Sequence, residues 1–168
     1  KSPRSSIGAP AFGMQDFIDK LMRKLLATGK CDIYLNQALT LVPDSPNVVL
    51  STSAAVSAGL LKAHDQALAA SLESLSYVPL ISVGCFYKRK DLKRFKPGIG
   101  CLYPEVESRQ ILGVLFNSAA FDHRVTADDL VSFSVIMGGT RSSDQLTWTD
   151  REIRTTIEEE LNAIFDMQ

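Results

Sequence analysis

The sequence predicts an α+β domain: a mixed, mainly antiparallel sheet with helices packed on one face. Two observations predict it. Helical periodicity dominates both ends of the chain, and strand-like alternation dominates residues 78–138. Runs of strands flanked by helices, rather than alternating with them, are the signature of that class. A chain of 168 residues can bury a core without staples. Its 45% apolar and 22% charged composition is that of an ordinary globular protein.

The first helix is GMQDFIDKLMRKLLATGK, with Phe17, Leu21 and Leu25 on one face and Gly29 as a left-handed stop. Three short strand candidates follow, CDIYL, ALTLV and NVVLS, separated in part by the turn PDSPN. Residues 54–75 return to helix, with a polar break from Lys62 to Asp65. LISVGCFYK alternates and is rich in strand formers. A basic loop, KRKDLKRFK, leads to GIGCLYP and QILGVLFNS, which the polar turn PEVESR joins as a hairpin. LVSFSVIMGG reads as a strand ending in two glycines. Thr149 followed by Glu152 has the spacing of a capping box, and Ile153, Ile157 and Leu161 then line a final helix.

The net charge of −1 provides no global field to recruit nucleic acid or an anionic surface. Cys31, Cys85 and Cys101 are scattered and odd in number, which fits reduced thiols and a cytoplasmic setting. No run reaches the length of a membrane-spanning helix, and peripheral membrane contact is left open. The chain lacks an initiating Met, and a piece of a longer protein is expected.

Self-contained chemistry is hard to find. His64 lies in the polar break and His123 in FDHR, neither beside a nucleophile elbow. The cysteines and histidines have no metal-ligand spacing, so the expectation is no catalytic residue and no metal. The acidic run at 158–160 reads as a solvated helix face, and the basic loop as a solvated loop or one that contacts phosphates, anionic lipid or substrate carboxylates. Gly-Ile-Gly at 98–100 sits between strands, with Tyr103 where a dinucleotide fingerprint has its third glycine.

The pieces GMQDFIDKL, NVVLSTSA, SLSYVPLISVGCFY, GIGCLYPEVESRQILGVLFNSAAFDHR and VIMGGTR, in that order, resemble the protoporphyrinogen oxidase branch of the flavin-containing amine oxidoreductase superfamily. The resemblance covers most of residues 12–165. It implies FAD in the intact protein, not retained by this chain alone, and a reduced, tetrapyrrole-like small molecule as substrate. It divides the chain into residues 1–55, a helix and small strand unit on the FAD side, and residues 56–168, a substrate-binding domain. The remainder of the FAD-binding domain is the implied partner, with no nucleic acid. It places Ile99, Leu102, Leu115 and Ile136 on the substrate wall, although apolar strand residues serve equally as core. It places Leu39, Ser51 and Thr52 beside the cofactor, and Arg124 in a structural ion pair. The alternatives are an amine oxidase or carotenoid desaturase-type flavoprotein, a stand-alone module binding a flat apolar ligand without turning it over, and a nucleic-acid module using the basic loop.

Overall fold

The computed structural model describes residues 8–167. These divide into two compact units, one of residues 22–77 and one of residues 8–21 with 78–167. Helix α1, Gly13–Ala27, belongs partly to each. It ends ahead of Gly29, which takes φ +64° as the sequence requires.

In the first unit, α2 (Ala54–Leu61) and α3 (Gln66–Glu73) pack on each other through Ala54, Ala58, Leu60 and Ala69, all buried. The expected break between them is present, and the Asp65 carboxylate accepts from Leu68 N–H to cap α3. The small strand unit is corrected. CDIYL, ALTLV and NVVLS form no strand, and residues 31–53 run as irregular backbone. Tyr34, Leu35, Leu39, Leu41 and Val49 are exposed there, Asn36 turns left-handed, and no strand among the described residues pairs with them. Strand propensity without a partner does not make a strand.

The second unit carries a four-stranded antiparallel sheet in the order β1-β4-β3-β2, with β1 Leu80–Lys88, β2 Gly100–Leu102, β3 Gly113–Leu115 and β4 Leu130–Gly138. β1 and β4 pair over nine residues, from Leu80 opposite Gly138 to Lys88 opposite Leu130. The hairpin strands β2 and β3 have only three residues each, because the chain between them makes a 3-10 turn at Glu105–Glu107 and a left-handed Ser108. Helix α4, Asn117–Ala120, is a single turn packed on β4, and α5, Asp150–Phe165, closes the unit.

The two faces of the sheet differ, as period-2 geometry demands. Cys101, Val114, Val135 and Val83 follow each other across the sheet on one face. With Val131, Phe133 and Met137 they meet Ile157, Leu161 and Phe165 of α5 in the core. Phe95, Phe116, Phe133 and Phe165 form its centre, with ring centroids 5.1–5.8 Å apart. The expected capping box is complete: Glu152 N–H donates to Thr149 Oγ1, and Thr149 N–H donates to the Glu152 carboxylate at 2.7 Å.

The basic stretch is not simply wet. Leu92 and Phe95 are buried, and the Arg89 guanidinium lies 4.8 Å from the Phe95 ring while donating to the carbonyls of Leu92 and Phe95. Lys88, Lys90, Lys93, Arg94 and Lys96 remain exposed.

Candidate functional site: the open face of the sheet

The other face of the sheet is largely uncovered. Across it run two rows, Ser82–Ile136–Gly113–Leu102 and Gly84–Ser134–Leu115–Gly100. Three of the residues expected on a substrate wall, Leu102, Leu115 and Ile136, therefore share one face. Leu102 and Ile136 flank Gly113, two strand spacings or about 10 Å apart. Leu102 is 78% exposed and Leu115 39%, so neither is core, whereas Ile136 is half-buried. Ile99 is 66% exposed and lies just before β2, where its carbonyl accepts from Phe116 N–H.

Two glycines explain the relief of this face. A Cβ on Gly113 would come within 2.7 Å of both the Cys101 carbonyl and Leu102 Cδ2. A Cβ on Gly100 would stand 2.5 Å from the Val114 carbonyl and 3.3 Å from Leu115 Cδ2. Each leucine thus lies down over the glycine of the neighbouring strand. The result is a low apolar surface built from two large side chains and two missing ones.

Polar groups sit at its borders. Asn117 Nδ2 donates to Ser134 Oγ at 2.8 Å, and Ser132 N–H donates to Ser118 Oγ at 2.9 Å. The Ser132 hydroxyl is buried and has no hydrogen-bond partner among the described residues. At the opposite border a shallow cavity of about 320 Å³ opens beside Leu102, lined also by Leu80, Leu112, Gly138, Gly139 and Arg141. Arg141 Nη1 donates to the Tyr103 carbonyl at 2.9 Å, and the side chain is exposed, a cation suited to a carboxylate. Buried Gln145 holds this border: its Oε1 accepts from Gly138 N–H, and its Nε2 donates to the Gln110 carbonyl.

Three titratable groups packed against the core have shifted values. The Tyr103 phenol is held well above its ordinary value by burial and by its 2.9 Å hydrogen bond with Cys101 Sγ. Burial, then the charges of Cys85 and Glu158, pushes the Tyr87 phenol up to about 12, and burial raises the Cys85 thiol. All three resist ionisation. Among the described residues no three His, Cys, Asp or Glu side chains cluster as metal ligands. Among the described residues no helix is long and apolar enough to cross a membrane.

The residues expected beside a cofactor all fall in the unit of residues 22–77. Leu39 is 59% exposed on the irregular segment. Ser51 and Thr52 are exposed just before α2, and Thr52 Oγ1 shares a 2.8 Å hydrogen bond with Ser57 Oγ. No glycine-rich strand-to-helix turn accompanies them among the described residues. They can border a nucleotide, but this set does not fit the task of holding a dinucleotide unaided.

Two sequence expectations are refined. Arg124 makes no ion pair among the described residues; it lies 5.6 Å from the Phe121 ring and donates to the Pro10 carbonyl at 3.4 Å. The acidic run is not uniformly solvated. Glu160 accepts from Arg109 Nη1 and from Gln110 N–H, both at 2.8 Å, and so ties the hairpin loop to α5. That bond, with the Glu160 charge, raises the Arg109 value. Neither this clamp nor Gln145 carries a local sequence signal, since their partners lie 51 and 35 residues away.

No family model matches the chain. Over 126 residues it is 24% identical to protoporphyrinogen oxidase 1, chloroplastic, of Arabidopsis thaliana. The alignment takes in 71% of this chain and 23% of that protein, so the chain spans about a quarter of the length of the relative it matches. The likeness is distant.

Proposed function

We propose that this chain is the substrate-side portion of an FAD-dependent oxidoreductase acting on a flat, apolar, tetrapyrrole-like molecule. The observation that carries the reading is the low apolar wall of Leu102, Leu115 and Ile136, left open to solvent, with no metal-ligand cluster among the described residues. A wall of this kind positions a ligand and leaves the chemistry to a bound group. The distant similarity to a protoporphyrinogen oxidase supports the same class and a porphyrinogen as the substrate. Flavin, when bound, would accept a hydride. Leu39, Ser51 and Thr52 would border it from residues 1–55, and the rest of its site would come from polypeptide outside this chain. Residues 56–168 would bind and orient the substrate, with Ile99 at the mouth of the wall, and exclude water from its buried side.

A stand-alone module binding the same ligand without turnover is the second reading, and it rests on the same open apolar wall. The test is a titration of the chain with a dicarboxylic porphyrin, followed by its absorbance, alongside a titration with FAD. Saturable porphyrin binding without stoichiometric flavin is expected. Absence of porphyrin binding sinks the ligand class. Flavin reduction by a porphyrinogen in a longer protein containing this chain separates the enzyme from the module.

A further inference from the structure

Arg141 is set apart from the other cations of the sheet unit by where it stands and by what it lacks. It lies just beyond the end of β4, after Gly138 and Gly139, whose φ angles of +83° and +76° favour glycine. Its Nη1 donates to the carbonyl of Tyr103, the residue after Leu102, at 2.9 Å. Gln145 braces the same turn by accepting from Gly138 N–H. The Nε and Nη2 donors have no partner among the described residues, and no carboxylate there pairs with this guanidinium.

The shallow cavity of about 320 Å³ that Arg141 lines is otherwise mostly apolar, with Leu80, Leu102 and Leu112 on its sides. Gly139 leaves room among them. A Cβ there would stand 3.3 Å from Leu80 Cδ2 and 3.5 Å from Leu112 Cδ1. No acidic residue among the described ones lines this cavity. The larger groove of about 480 Å³ between β1 and α5 makes the contrast. Its cation, Arg154, is already paired with Glu158 at 3.0 Å, and Asp150 lines the same groove.

We infer that Arg141 determines specificity for an acidic edge of the ligand: the wall takes a flat apolar body carrying a carboxylate, and the guanidinium binds that carboxylate beside Leu102. The inference rests on the reading of the open face as a ligand wall. It gives the ligand an orientation that the wall alone does not. Apolar contact is non-directional, so a surface of two leucines and two glycines accepts a flat molecule either way round. One fixed cation at the Leu102 border removes that freedom.

The chemistry selects an anion, and a single one. A guanidinium keeps its charge at any ordinary pH and offers its N–H donors in a planar fork that matches a carboxylate. With Nη1 engaged by Tyr103, Nε and Nη2 form the edge whose two donors are both unengaged. That edge takes one carboxylate in two parallel hydrogen bonds. Leu102 and the cavity leucines, once covered by the ligand, lower the polarity around the pair and strengthen it. The Tyr103 bond holds the side chain beforehand, so less rotamer freedom is lost on binding. A second carboxylate on the ligand stays in water.

The test is absorbance titration of the full chain with a dicarboxylic porphyrin, its monomethyl ester and its dimethyl ester. The diacid and the monoester should bind alike, and the diester roughly three- to tenfold more weakly. Arg141→Gln should bring the diacid and the monoester down to the diester and leave the diester unchanged. Arg141→Lys, a point charge without the fork, should keep only part of the difference. Arg141 is exposed, so both variants should fold, and circular dichroism checks it. Leu102→Ala should weaken all three ligands by the same factor. If none of them binds the parent, the ligand wall fails and this inference with it. If diacid and diester bind the parent equally, or the preference survives Arg141→Gln, the wall stands and Arg141 is not its anion-binding residue. A monoester that binds like the diester overturns the single-carboxylate contact.

Discussion

Replacing Leu102 by alanine separates a ligand wall from ordinary surface. Leu102 leaves 78% of its surface to water, although its Cδ2 lies over Gly113. Full burial of a leucine side chain is worth about 2 kcal/mol, so a ligand covering this one recovers roughly 1.5 kcal/mol. Alanine retains the smaller part of that. Leu102→Ala should therefore weaken binding of a dicarboxylic porphyrin roughly five- to tenfold. Stability should move by no more than about 0.5 kcal/mol, as at other exposed sites. The contrast is Met137→Ala, adjacent to Ile136 in sequence but on the opposite face and fully buried. It should cost about 2–5 kcal/mol of stability and, where the fold persists, leave affinity nearly unchanged. The two variants are compared by urea denaturation and by absorbance titration. If Leu102→Ala binds the porphyrin as tightly as the parent, or if the two variants lose affinity equally, the open face is not the binding wall.

Phe133→Ala removes the ring that meets Phe95, Phe116 and Phe165 at once, and should cost about 3–5 kcal/mol in a denaturant titration. Arg109→Ala strips Glu160 of its half-buried partner and Tyr103 of the guanidinium 5.0 Å from its ring. It should cost about 1–2 kcal/mol, more than an exposed ion pair and less than a fully buried one, read from the same titration. Thr149→Ala opens the capping box and should cost about 1 kcal/mol. The Glu152 carboxyl is held below its ordinary value by the Thr149 backbone N–H and then its hydroxyl. Its folded value being lowered, its contribution is present above the unfolded carboxyl value and fades as pH falls through the folded one. The stability gap between the parent and Glu152→Gln should close in acid, and a gap constant with pH would refute the assignment.

The elements that sequence makes legible are those whose partners are supplied by pattern alone. β1 and β4 alternate, α5 carries its own cap, and α1 stops at Gly29 because the chain must turn left there. The segment 31–53 has strand composition but no ladder to join, and that depends on tertiary placement. The wall is intermediate. Leu102, Leu115 and Ile136 read as apolar strand residues, yet their common face follows from a register between three-residue strands that local pattern does not fix. Gln145 and Glu160 were invisible because each is an ordinary polar residue until the hairpin loop is folded against it.

The leucine-over-glycine arrangement has a hereditary consequence. Residues 102 and 113 occupy one shared volume, and so do 115 and 100. A side chain at 113 would also strike the Cys101 carbonyl, and one at 100 the Val114 carbonyl, so shrinking a leucine alone would not make room for either. Variation in the relief of this face should therefore fall on the leucines, while both glycines stay.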